Sequence, residues 1–389
     1  MSLLNQTDTS VQEFIIVGFP SFQDSESRNV LFSIFLAVYS LILLGNVLLV
    51  VVFVMDKGLH IPMYMLICSL ALVDLIISTT TIPKMLLVFS FKSTVISNVI
   101  FGSLLTVYFF IILGNLLIIV IFLHDEDLHI PMYILISCLG LVDIIIATNT
   151  VPKMLAIFGS DSNLITISAC FTQMFFTHTT TTVESLLLAL MAYDRYLAIC
   201  KPLHYHTLTS NALVLKQIAC CWVCGFIVAI IPIILAYRLP FCGPNKVVHC
   251  YCDHSSVLKL ACTDTSLNTY VGLSLVLSVL IAPLIYILFS YTRILISVLK
   301  ISTHKGRVKA FSTCATHLLV ISVFFLVGAG VYICNRIPGT SADVRILMAL
   351  IQNVTPPLMN PIIYCLRSKE IQQSFWKTLR RNKTLPKNP

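Results

Sequence analysis

What most constrains this chain is its supply of uninterrupted apolar runs. A helix crossing a hydrocarbon layer needs roughly 20 mostly apolar residues, because each residue adds only about 1.5 Å of rise. Nine stretches meet or nearly meet that requirement, at about 30–55, 61–83, 98–123, 130–152, 169–193, 217–237, 270–292, 313–334 and 345–366. The few charges inside them are the acids Asp74, Asp143 and Glu184. Charged residues make up 11% of the 389-residue chain and mean hydropathy is +0.93, whereas soluble domains carry about 25% charge. The fold class that follows is all-α integral membrane, with nine spans and the lipid bilayer as solvent.

Nine crossings put the two ends on opposite sides. Cytoplasmic loops carry an excess of Lys and Arg, and placing the N-terminus outside puts 16 of the 25 Lys and Arg inside. The formal charge of +8 is thus an orientation signal. No basic stripe with interleaved aromatics accompanies it, which excludes nucleic acid as a partner. Residues 1–29 are polar and lack a signal-peptide core, so the first apolar helix is expected to act as an uncleaved anchor. Asn5-Gln6-Thr7 is a glycosylation sequon on the outer side. The sequons at Asn353 and Asn382 fall in an apolar run and in the basic tail, 367–389. One inner loop opposes its placement: His124-Asp125-Glu126-Asp127 holds three acids and no base, so its neighbours must orient it. Cys170, Cys242, Cys250, Cys252 and Cys262 fall at or beyond the outer boundary, where disulfides persist. Five cysteines allow two bridges and leave one over. His249 and His254 lie among them, but at no regular metal-ligand spacing.

The chain also repeats itself. Leu-Gly-Asn at 44–46 recurs at 113–115, Leu-His-Ile-Pro-Met-Tyr at 59–64 recurs at 128–133, Leu-Val-Asp at 72–74 recurs at 141–143, and Pro-Lys-Met-Leu at 83–86 recurs at 152–155. The offset is 69 residues throughout, so two spans and their connecting loop occur twice. Solenoids need three or more repeats, and repeated transporters duplicate a whole half of the fold. Adding one hairpin preserves the topology of everything after it. A genuine duplication and a merger of two neighbouring related genes would leave the same pattern.

Several motifs carry the chemistry. Met191-Ala192-Tyr193-Asp194-Arg195-Tyr196 sits where an apolar helix meets the cytoplasm, and an acid beside an arginine there can lock it and later release it. Lys309-Ala310-Phe311-Ser312-Thr313-Cys314-Ala315-Thr316-His317-Leu318 opens a later span, and Pro357-Leu358-Met359-Asn360-Pro361-Ile362-Ile363-Tyr364 closes the last. Pro361 removes an intrahelical hydrogen bond and favours a kink, while the neighbouring Asn360 can satisfy the freed backbone. His178, Thr181, Thr182 and Ser185 share one helix face at spacings of three and four, suited to a ligand or to hydrogen bonding between helices. With Gly114-Asn115 and Leu128-His129-Ile130-Pro131-Met132-Tyr133, these signatures resemble the odorant receptors of the rhodopsin-like G-protein-coupled receptors, in residue type, order and spacing. The likeness covers the whole chain once one hairpin copy is set aside.

That resemblance implies a seven-helix receptor body at 98–366, preceded by an extra transmembrane hairpin at 30–97. The second copy is expected to supply the first two bundle helices, because 18 residues from Pro152 to Cys170 make an outer loop of the usual length. The resemblance further implies bridges Cys170–Cys252 and Cys242–Cys262, with Cys250 outside the usual pattern. Asp143 and Glu184 match a sodium site between helices, where two facing carboxylates need a cation or a shared proton. Asn115 and Asn360 match its polar neighbours. Asp194, Arg195 and Tyr196 match the G-protein-coupling edge, and Asn360, Pro361 and Tyr364 the activation hinge and switch. Phe325 and Tyr332 match pocket-lining positions that would join His178, Thr181, Thr182 and Ser185 around a small odorant-like molecule. The partners implied are that ligand and a heterotrimeric G protein at the plasma membrane. No nucleophile elbow or phosphate loop is present, and no enzyme is expected. A transporter or channel, or a non-signalling fusion product, is the alternative that nine spans with intramembrane acids leave open.

Overall fold

The computed structural model describes residues 13–17, 94–160, 164–242, 245–300, 304–337 and 339–383. Asn5, the first two expected spans and the first hairpin copy lie outside the described residues. In chain order the main elements are β1 (Glu13–Val17), α1 (Thr94–His124), α2 (Pro131–Ser160), β2 (Leu164–Thr166), α3 (Ile167–Cys200), α4 (Asn211–Tyr237), β3 (Lys246–Val248), α5 (His254–Leu258), α6 (Ser266–Leu299), α7 (His304–Arg336), α8 (Ala342–Arg367) and α9 (Lys369–Lys383). One compact unit holds β1, the chain from Phe110 to Met154 and everything described from Leu164 onward. The first half of α1 and the last turns of α2 belong to a second unit.

Among the described residues six helices are long and apolar enough to cross a membrane: α1, α2, α4, α6, α7 and α8. The chain is therefore a multi-pass membrane protein built as an all-α bundle. A seventh long helix, α3, has 34 residues but a more polar surface. Its Thr179, Thr180, Thr182, Glu184, Ser185 and Asp194 are all buried. Such side chains are tolerated because α3 packs against α4 and α6 and shows them to protein rather than lipid. By contrast, only 11% of the most apolar stretch of α6 is buried, leaving Ile281, Ile285, Leu288 and Phe289 on its outer face. An apolar surface of that extent requires lipid around it.

Each helix outruns its apolar run, because polar residues just outside the hydrocarbon cap it. The Thr166 hydroxyl accepts from the Ala169 amide, that of Ser210 from Leu213 and that of Ser341 from Val344. The tail, where the sequence suggested only a basic end, forms α9 after a break at Ser368, whose hydroxyl accepts from the Ile371 amide at 3.2 Å.

One element departs from an all-α reading. β1 lies between β2 and β3, antiparallel to β2 (Phe14 opposite Ile165) and parallel to β3 (Ile16 opposite Val247). Phe14 is fully buried and meets Phe241 edge-on at 5.5 Å. Glu13-Phe14-Ile15-Ile16-Val17 is too short to span lipid, and its β-branched residues become a strand only because distant loops offer both edges.

Candidate functional site

The bundle's buried polar network begins at the proline in α8. Pro361 has no amide hydrogen, so the carbonyl four residues earlier, on Pro357, loses its helical partner. The side chain that takes it is not Asn360, as the sequence suggested, but Asn115 of α1, whose Nδ2 donates to Pro357 O at 2.9 Å and to Ile111 O at 3.0 Å. Asn360 points across to α2 instead. Its Nδ2 donates to both oxygens of Asp143, at 2.9 and 3.2 Å. Two glycines make the approach possible. A Cβ on Gly114 would stand 3.0 Å from the Pro361 ring, and one on Gly140 would stand 3.2 Å from Asn115 Oδ1. Asp143, Glu184, Asn115 and Asn360 are all buried, and the amide oxygens of both asparagines have no hydrogen donor. Their carboxylate and donor-free amide oxygens are hard donors, the type that hard cations take.

At one end of α3, Asp194 Oδ2 lies 3.3 Å from Arg195 Nη2, and the Tyr205 hydroxyl donates to Asp194 Oδ1 at 2.7 Å. Burial and the adjacent Asp194 carboxylate raise the Tyr205 pKa, so the phenol stays a donor. The pair is thus clasped from the following loop, a residue the sequence did not single out. Tyr364 is buried with its ring 5.9 Å from that of His317 and no hydrogen-bond partner for its hydroxyl. Tyr196 lies half-buried one residue beyond Arg195. At the same end Lys377 of α9 reaches both Asp125 and Asp127 at 2.7 Å. Hydrogen bonds from Lys377 and Ser374 hold the Asp125 carboxyl below the usual range, and its two acids hold the Lys377 ammonium above its own. Two of the three acids of the 124–127 loop are thus paired from the tail, Asp127 across 250 residues of chain.

At the opposite end Cys170 is bonded to Cys252 and Cys242 to Cys262, while Cys250 is a free, buried thiol whose pKa burial pushes up to about 12. Gln173 extends the first bridge into the bundle. Its Oε1 accepts from the Cys252 amide at 2.9 Å and its Nε2 donates to Asn149 O at 2.6 Å. Asn149 Nδ2 in return donates to Gln173 O and Thr177 Oγ1, both at 2.9 Å. Neither residue carries a motif, and only the α2–α3 packing reveals them.

The polar face of α3 is largely occupied by its own backbone. Thr181 donates to Thr177 O at 2.9 Å and Thr182 to His178 O at 2.8 Å. Ser185 donates across to Val279 O of α6 at 2.7 Å. His178 meets His254 of the loop edge-on at 5.7 Å. Phe325 is buried against Phe324, and Tyr332 is half-buried. None of the six lines the cleft of about 290 Å3 that lies at the loops.

This arrangement of a proline-broken helix, a clasped Asp-Arg pair and a disulfide-tethered loop has close sequence relatives. The olfactory receptor family profile matches residues 35–101 and 104–382. Olfactory receptor 1M1 of Mus musculus is 40% identical over 283 residues, 73% of this chain and 90% of the relative. Olfactory receptor 1E1 of Pan troglodytes is 39% identical over 382 residues, 98% of this chain and 99% of the relative. The chain belongs to the olfactory receptor family. It is accordingly a G-protein-coupled receptor, without enzymatic turnover. In this olfactory receptor the described helices α1 and α2 are the second copy of the repeated hairpin, and their Asn115 and Asp143 meet α8.

Proposed function

We propose that this olfactory receptor binds a small odorant-like molecule from outside the plasma membrane and activates a heterotrimeric G protein within. Residues 98–366 form its receptor body and 30–97 a surplus hairpin, with the N-terminus and Asn5 extracellular and 367–389 cytoplasmic. The observation that carries the reading is the asparagine exchange at Pro361: α8 has lost a backbone bond, and side chains of α1 and α2 hold the gap in one arrangement. A helix held this way can change its bend when those partners are re-paired, at a cost of a few hydrogen bonds rather than of unfolding.

Ligand contact with His178, Phe325, Tyr332 and the hydroxyl face of Thr181, Thr182 and Ser185 biases α3, α6 and α7. Loosening the Asp143–Asn360 contact lets the Tyr364 phenol, now without a partner, leave its buried position. Arg195 then exchanges Asp194 for the G protein. Asp143 and Glu184 with the Asn115 and Asn360 oxygens would hold a sodium ion, whose single positive charge would offset one of the two buried carboxylates. The Cys170–Cys252 bridge and the Gln173 relay keep the ligand-facing end of α3 in register.

The test is a cell-surface receptor responding to an agonist drawn from an odorant panel. Arg195→Ala should abolish the second-messenger response while leaving surface delivery intact, and Cys252→Ser should reduce surface delivery. Full signalling by both variants would overturn the mechanism.

A further inference from the structure

The loop-end cleft has a chemistry of its own. It lies between β3, the segment after Cys252 and the start of α8. Lys246, Lys259 and Arg345 line it, and none of the three has an ion-pair partner among the described residues. Arg345 Nε is buried without any acceptor. The single acid on the wall, Asp253, is already engaged, since Ser255 Oγ, Ser256 N and Ser256 Oγ all donate to its Oδ2. Burial lowers the His249 pKa, which keeps that imidazole neutral near pH 7. Asp343, two residues before Arg345, lies on another face of α8 and does not line the cleft. Three positive side chains thus line the cleft with one carboxylate whose Oδ2 is already hydrogen-bonded, leaving a net positive wall, with Val248, Leu260 and Ala342 alongside.

We propose that this cleft is an outer binding site for small organic carboxylates, separate from the pocket on α3. A volume of about 290 Å3 far exceeds an inorganic ion and stands near the lower end of small-molecule sites. The carboxylate pairs with the Arg345 guanidinium and the two ammonium groups, and the apolar wall takes the hydrocarbon body. A basic cleft at the receptor mouth also raises the local concentration of anionic ligands above the bundle.

The test uses the full-length receptor in lipid nanodiscs, with octanoate as the probe and 1-octanol as its uncharged counterpart, followed by titration calorimetry. Octanoate should bind saturably and at least tenfold more tightly than octanol. The double variant Lys259→Gln/Arg345→Gln should lose that preference, with an unchanged thermal midpoint showing that it is folded. Lys259→Gln alone, on an exposed side chain, should weaken octanoate severalfold and serves if the double variant misfolds. The proposal is overturned if octanoate does not bind, if neither variant weakens it, or if equimolar phosphate displaces it as well as a second carboxylate does.

Discussion

The two hairpin copies are alike where a receptor bundle needs its buried motif and unlike where that motif meets its neighbours. Gly45, Asn46, Asp74, Pro62 and Pro83 stand at the offsets of Gly114, Asn115, Asp143, Pro131 and Pro152. Some of the differences fall on three contacts of the second copy. Gly140, whose missing Cβ admits Asn115 at 3.2 Å, corresponds to Ala71. Asn149, which joins α2 to Gln173 and Thr177, corresponds to Thr80, which has no amide to donate twice. Asp127, the second acid on Lys377, corresponds to Gly58, and Lys57 replaces the neighbouring Glu126 with a like charge to Lys377. If the second copy builds the bundle, as proposed, a shared motif makes a segment eligible and the residues around it decide which of two eligible segments is used.

The largest contrast should come from the asparagines. Asn115→Ala strands the Pro357 carbonyl in the bundle and should cost about 1–3 kcal/mol, read as a lower thermal midpoint of the purified receptor. Asn46→Ala should leave that midpoint unchanged. Equal losses from both would mean that the first copy also packs on a proline-broken helix.

Next is Gly140→Ala, which reproduces the first copy's alanine and pushes a methyl against Asn115. Overpacking of this kind costs roughly 1–3 kcal/mol when the neighbour cannot yield. Because the Asn115 side chain can give by a few tenths of an ångström, the expected loss lies at the lower end. Asn149→Thr should be smaller again, about 0.6–1.7 kcal/mol, the range of hydrogen bonds between membrane helices.

The smallest effect should be that of Lys377→Gln, whose ammonium is half exposed and open to screening. Asp125 is held low by Lys377, so this contribution is present in full above the ordinary carboxylate range and disappears as pH falls through the depressed value. Wild type and variant should therefore differ at pH 7 in dilute buffer and converge both in molar salt and in strong acid. A difference that survived molar salt would show that Lys377 acts by packing.

The membrane class, the seven long helices of the bundle and the motif residues were legible in the sequence, because lipid permits few solutions and the apolar runs state their own lengths. Asp143, Asn360 and the Asp194–Arg195 pair could be read because an acid or a proline within an apolar helix is costly and therefore conspicuous. What could not be read were partners supplied from far along the chain. Asn115 rather than Asn360 caps the Pro357 carbonyl, Lys377 pairs with two acids of an acidic loop, and β1 needs edges from two separate loops. Polar residues of ordinary type at ordinary places, such as Gln173 and Asn149, give no signal until the helices are side by side.

The most direct measurement compares two deletions, each of one 69-residue period: 30–98, which removes the first copy, and 99–167, which removes the second. Both leave a single hairpin followed by an intact remainder, and surface delivery is read with an antibody to an N-terminal tag on unpermeabilised cells. If the second copy builds the bundle, deleting 30–98 preserves or raises surface delivery and agonist response, while deleting 99–167 lowers both severalfold. The opposite order, with the 30–98 deletion failing and the 99–167 deletion signalling normally, would contradict it.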